Sequence, residues 1–120
     1  MKRAAREAQI LICIKNPGED PKIGLLFDNT LEAFQAAVGG YIETVTIASD
    51  LVLVCNDEGR WRGLPYNTTI CGCPFYGPVL AVGVKGDDFA SIKGSSIPLV
   101  LDLLRGKEDE ARWPSHMTRF

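Results

Sequence analysis

The chain has 120 residues, 46% hydrophobic and 23% charged, with a mean hydropathy of +0.03, which suits one domain with its own core and excludes a disordered polymer. Thirteen Lys and Arg against fifteen Asp and Glu leave a formal charge of -2, so no basic excess advertises general nucleic-acid binding. The basic start at Lys2 and Arg3 precedes an apolar stretch that runs only from Ile10 to Ile14, and no window approaches the roughly 20 apolar residues of a membrane helix. A cytoplasmic protein with no membrane segment is the expectation.

Residues 9–14 form a continuous β-branched run closed by Asn16-Pro17-Gly18, the pattern of a buried strand entering a turn. A second strand fits Lys22 to Phe27. Asn29 is placed to cap a helix over 30–39, with Glu32 in its first turn, a stripe of Leu31, Phe34 and Val38, and Gly39-Gly40 as its stop. Tyr41 to Ile47 and Leu51 to Asn56 read as a hairpin through Ala48-Ser49-Asp50, and Arg60-Trp61-Arg62 as a continuation of the meander. Residues 63–78 are dense in Gly and Pro and read as a long irregular loop, a usual seat of function. Val79 to Val84 is a further strand, and Phe89 to Ile92 a short packed segment. A last helix over 96–105 is capped by Ser95 or Ser96, opened by Pro98 and closed by Gly106, with Ile97, Val100, Leu101 and Leu104 on its apolar stripe. Trp113, Met117 and Phe120 follow in a tail that needs somewhere to bury them. The predicted fold is α+β: one small domain, with a mainly antiparallel sheet of about five strands packed by two helices.

The residue that fits least well is Glu43, which alternation places on the same face as Tyr41, Val45 and Ile47. A carboxylate on an apolar face is costly unless it is paired or at a rim. Three readings follow: a bulge near Tyr41 that flips the register, an ion pair with Arg60, or an acidic ligand contact. The hairpin and loop also gather Asn56, Glu58, Arg60, Trp61, Arg62, Tyr66 and Asn67, types enriched in binding hot spots. The plainer alternative turns Trp61 into the core from an edge strand, with both arginines in water.

Cys71-Gly72-Cys73, with Cys13, Cys55 and the single histidine His116, invites a metal or redox reading, but one residue between cysteines and no second pair is not zinc spacing. Reduced structural thiols and no cofactor are expected. Neither Gly39-Gly40 nor Gly83-x-x-Gly86 cradles a phosphate, and His116 has no organised nucleophile beside it in sequence, so enzymatic activity is not expected.

Gly39-Gly40-Tyr41-Ile42-Glu43, then Leu53 to Gly59, Gly63 to Asn67, and Gly77-Pro78-Val79-Leu80 with Gly83-Val84, resemble in their order the domain-of-unknown-function 3846 family of bacteria, phages and integrative elements. The resemblance spans residues 9–93 and leaves 94–120 as an appended helix and aromatic tail within a single domain, 1–120. It implies no catalytic residues. Its setting implies an accessory protein acting by binding, with a host protein, as in counter-defence, as the expected partner. Sequestering a small nucleotide signal is the alternative, and a zinc- or redox-dependent role for the Cys-Gly-Cys segment a second. Edge strands and the apolar tail allow a homodimer.

Overall fold

The structure, a computed structural model, describes residues 8–26 and 28–106. The strands are β1 (Ile10–Lys15), β2 (Lys22–Leu26), β3 (Ile42–Ala48), β4 (Leu51–Asn56), β5 (Tyr66–Ile70), β6 (Cys73–Tyr76), β7 (Val79–Lys85) and β8 (Asp88–Ala90), and the helices α1 (Leu31–Val38) and α2 (Ile97–Arg105). The main sheet is antiparallel throughout, in the order β2-β1-β7-β4-β3, with β8 paired to the end of β7. β5 and β6 form a separate hairpin. The α+β expectation of an antiparallel sheet with two helices is met.

Sequence character sets strand position. Central β1, β4 and β7 are nearly unbroken apolar runs because both of their faces are covered, whereas the edge strand β3 interleaves polar residues and the short edge strand β2 leaves Ile23 and Leu25 half-exposed. On one face, Ile10, Ile12, Val52, Val54, Leu80 and Val82 pack with Phe34 and Val38 of α1. On the other, Cys13, Leu53, Cys55, Val79 and Ala81 pack with Val100 and Leu104 of α2 and with Ile70 and Phe75 of the hairpin. Each such buried Phe, Leu or Ile contributes roughly 1.5–3 kcal/mol of transfer free energy. α2 thus supplies Val100 and Leu104 to the apolar cluster on this second face.

The helix termini differ from expectation in detail. Thr30, not Asn29, caps α1, its hydroxyl accepting from the Ala33 N–H at 3.1 Å. Asn29 is buried and donates to the Phe89 carbonyl at 2.8 Å, tying α1 to β8. With the start shifted by one residue, Leu31 stands at the first helical position and is 54% exposed, leaving Phe34 and Val38 as the buried stripe. Neither Ser95 nor Ser96 caps α2 by its side chain; a 3₁₀ turn, Gly94–Ser96, leads into it instead, and Gly106 ends it.

The largest departure is at residues 63–78, which are not an irregular loop. Tyr66 to Ile70 and Cys73 to Tyr76 pair with Ile70 opposite Cys73, leaving Cys71-Gly72 as a two-residue turn. Both turn residues have positive φ, 51° and 80°, the type I′ geometry that matches strand twist. A bulge at Asn67 lets Tyr66 and Thr69 share the outer face, where the Tyr66 hydroxyl meets Thr69 Oγ1 at 2.6 Å. No helix among the described residues is long and apolar enough to cross a membrane.

Candidate functional site

A cleft of about 330 Å³ opens where β3 begins and β4 ends, the 57–63 turn leaves the sheet, and β6 lies across. Glu43, Val45 and Cys55 face it from the sheet, Asn56, Asp57, Gly59, Arg60 and Trp61 from the strand end and turn, and Cys73 to Tyr76 from the hairpin. Its inner wall is apolar because Val45, Cys55 and Phe75 belong to the core below.

The turn does not continue the meander. Asp57 N–H donates to the Tyr41 carbonyl at 2.8 Å, a last bond across the β3–β4 pair, and then Arg62 N–H to the Glu58 carbonyl at 2.8 Å and Leu64 N–H to the Gly59 carbonyl at 2.9 Å close overlapping backbone rings. Asn56, buried, fastens the turn from below: its Nδ2 donates to the Val38 carbonyl at 3.0 Å and its Oδ1 accepts from the Glu58 N–H at 2.7 Å. Gly59 is required by close approach, since a Cβ there would stand 2.6 Å from the Tyr76 carbonyl oxygen. This hydrogen-bonded turn holds Trp61 90% exposed at the mouth of the cleft, so the alternative that buries it in the core is overturned.

Glu43 remains on the apolar face that alternation assigned to it, opposite Cys55. The register shift lies between Thr46 and Ala48, not near Tyr41, and no ion pair to Arg60 forms among the described residues. The carboxylate is exposed because β3 is the sheet's last strand and the cleft opens above it. Arg60 instead sets its guanidinium 6.0 Å from the Tyr76 ring centre, and Tyr76 meets Tyr66 edge to face at 5.7 Å. Burial, with the Glu43 and Asp57 carboxylates, pushes the Cys55 thiol up to about 11, and its Sγ donates to the Glu43 carbonyl at 3.7 Å. At neutral pH it is a protonated core thiol and no nucleophile.

Of the nine residues proposed from sequence, the cleft gathers Glu43, Asn56, Arg60 and Trp61. Tyr41, 71% exposed, and Tyr66 lie outside its lining, and Glu58 and Arg62 face water in a 3.7 Å ion pair. Asn67 is a buried staple: its Nδ2 donates to the Lys15 and Gly77 carbonyls at 2.7 and 2.8 Å, and its Oδ1 accepts from Lys15 Nζ at 3.0 Å. Burial lowers the Lys15 amine below its ordinary value, opposed by the Asp20 and Glu19 carboxylates. The cleft also uses Asp57, Phe75 and Tyr76, which sequence reasoning passed over because the segment holding the two aromatics reads as loop.

All four cysteines are free; Cys13 and Cys55 are buried, Cys71 and Cys73 exposed. Among the described residues no group of three or more His, Cys, Asp and Glu is placed to hold a metal, and His116 lies outside them, as do Trp113, Met117 and Phe120.

These features define a small α+β domain in which one antiparallel sheet is covered by α1 on one face and by α2 with a hairpin on the other, with an aromatic-rimmed cleft at the β3 edge. Residues 10–105 match the family described as Domain of unknown function (DUF3846), and the chain belongs to that family. The match takes in every strand and both helices, so it continues past residue 93 through α2. No curated protein and no solved structure matches the chain.

Proposed function

We propose that this is a non-enzymatic binding protein of a phage or mobile element, working in the host cytoplasm and engaging a host protein, with counter-defence as its role, and that Trp61 is the anchor of the contact. One observation carries this reading: a tryptophan 90% exposed, held by a hydrogen-bonded turn at the mouth of an apolar-walled cleft. Trp, Tyr and Arg dominate interface hot spots, where a single truncation costs about 2 kcal/mol or more, and Trp61, Tyr76 and Arg60 stand together here. The turn is already ordered, so little conformational entropy is lost when a partner closes over it.

A photo-cross-linking residue at position 61, in the host cytoplasm, should give one stoichiometric adduct, whereas the same group at Leu99, 71% exposed on α2, should give none. The Trp61→Ala chain should lose the partner with its melting temperature unchanged. No adduct from position 61, or the same adducts from both positions, overturns the reading.

The cleft volume supports a second reading, since about 330 Å³ lies at the small end of ligand pockets, roughly 300–1,000 Å³. A nucleotide signal would stack on Trp61 or Tyr76 and meet the Glu43 and Asp57 carboxylates and Arg60. It predicts a rise in melting temperature with one member of a nucleotide and cyclic-nucleotide panel, lost in Trp61→Ala and Glu43→Gln. A flat panel removes it.

A further inference from the structure

The two edges of the main sheet are built differently. β3 has a register shift between Thr46 and Ala48 and places the Glu43 carboxylate on its inward face, two devices that discourage strand addition. β2 has neither. Its pairing with β1 is regular from Ile10 opposite Leu26 to Ile14 opposite Lys22, and Ile23 and Leu25, on one face, are 51% and 48% exposed. A regular edge with exposed apolar side chains is a template for another strand.

We propose that β2 pairs with β2 of a second copy of this chain, antiparallel about a twofold axis through Gly24, joining the two sheets into one. A twofold antiparallel pair requires a strand that complements its own reverse, and Lys22-Ile23-Gly24-Leu25-Leu26 does. About Gly24, Ile23 stands opposite Leu25 of the second copy and Leu25 opposite its Ile23, so half-exposed apolar side chains cover one another on one face. On the other face Lys22 stands opposite the half-buried Leu26 of the second copy, so that the alkyl stem of each lysine lies along the leucine across from it. Symmetry makes each of these contacts twice and also fixes register, because a slip of one residue would put the Ile23 and Leu25 of one copy on the face opposite to those of the other. The interface lies at the far edge of the sheet from the cleft, so it is independent of the Trp61 contact.

Sedimentation across a concentration series should show a species of twice the 13.1 kDa chain mass. In a Cys71→Ser, Cys73→Ser background, Gly24→Cys should cross-link to a disulfide-bonded dimer under mild oxidation. A Cβ at position 24 meets only ordinary contacts, 3.7 Å to Ile12 and 3.8 Å to Ile14, so this variant folds. Ile23→Lys with Leu25→Lys should return the monomer mass and abolish the cross-link, the half-exposed sites leaving the melting temperature within a few degrees of the parent. A monomer at every concentration, a dimer that persists in the double lysine variant, or a dimer whose Gly24→Cys form stays uncross-linked each overturns the proposal.

Discussion

Two asparagines show how a polar residue in a candidate list becomes a staple once it is buried. Asn67 satisfies two carbonyls and the Lys15 ammonium at once, joining the end of β1 to the base of the hairpin. Removing it leaves the Lys15 and Gly77 carbonyls without their amide donor and the buried Lys15 ammonium with the Asn16 carbonyl alone of its two acceptors, in a site from which the protein largely excludes water. Asn67→Ala should therefore cost about 3 kcal/mol or more, seen as a lower urea midpoint with unchanged slope. A loss under about 1 kcal/mol would mean that water replaces all three bonds. Asn56 does the same for α1 and the turn from within the cleft lining, whereas Asn67 supports the hairpin from outside it.

The thiols divide in a way that chemistry can read. Cys71 and Cys73 are exposed and should react with a thiol reagent at once in the native protein, Cys13 and Cys55 only after denaturation. Cys55 ionises near about 11 when folded and near 9.0 when unfolded, so above pH 9.0 the unfolded chain releases a proton that the folded chain retains. Its contribution is fully present below that value and is lost as pH rises towards 11. Chemical denaturation should show a falloff of up to about 2–3 kcal/mol from this group, reduced in Cys55→Val.

Among the elements, the β5–β6 hairpin is the one that sequence patterning concealed. Five Gly and Pro positions from Gly63 to Gly77 outweigh the β-forming Tyr66-Asn67-Thr68-Thr69-Ile70, and Pro74 disfavours a strand unless that strand is an edge, which β6 is. The legible signal was the dipeptide Cys71-Gly72 between two such runs. Cys71 is the only non-glycine among the described residues with positive φ, where Asn is preferred. Cys71→Asn should raise stability by roughly 0.5–1 kcal/mol, measurable as a higher melting temperature, because it removes left-handed strain at an exposed position. No gain would show that the cysteine is strain-free in that turn. The turn carrying Trp61 was equally hidden, since Arg-Trp-Arg fits alternation and only the backbone bonds of residues 57–64 reveal its path.

At the scale of the whole molecule, the opposing characters of β2 and β3 decide how the sheet meets other chains. Glu43 is best understood there. Its carboxylate costs little, being exposed at the sheet rim, and it keeps the β3 edge from pairing with other strands while leaving the cleft open. Glu43→Val should leave the melting temperature equal or higher but form species larger than those of the parent, seen by light scattering at matched concentration. An unchanged size distribution would show that the bulge alone protects β3.

The amino-acid sequence by itself determined the α+β class, the central strands, both helices and the family, because these rest on hydrophobic periodicity, helix stop signals and the order of local motifs, all of which act over a few residues. It also placed Glu43 on its apolar face, since alternation is a property of the strand alone. Only the tertiary structure decided that this face ends at an open rim, that Trp61 stands in water while Asn67 is buried, and that β6 crosses to close the cleft with Phe75 and Tyr76. Burial and convergence are set by which distant segments pack together, and residues 43, 61 and 75 come together through strand order and a hairpin docked by Ile70 and Phe75, which no local pattern encodes.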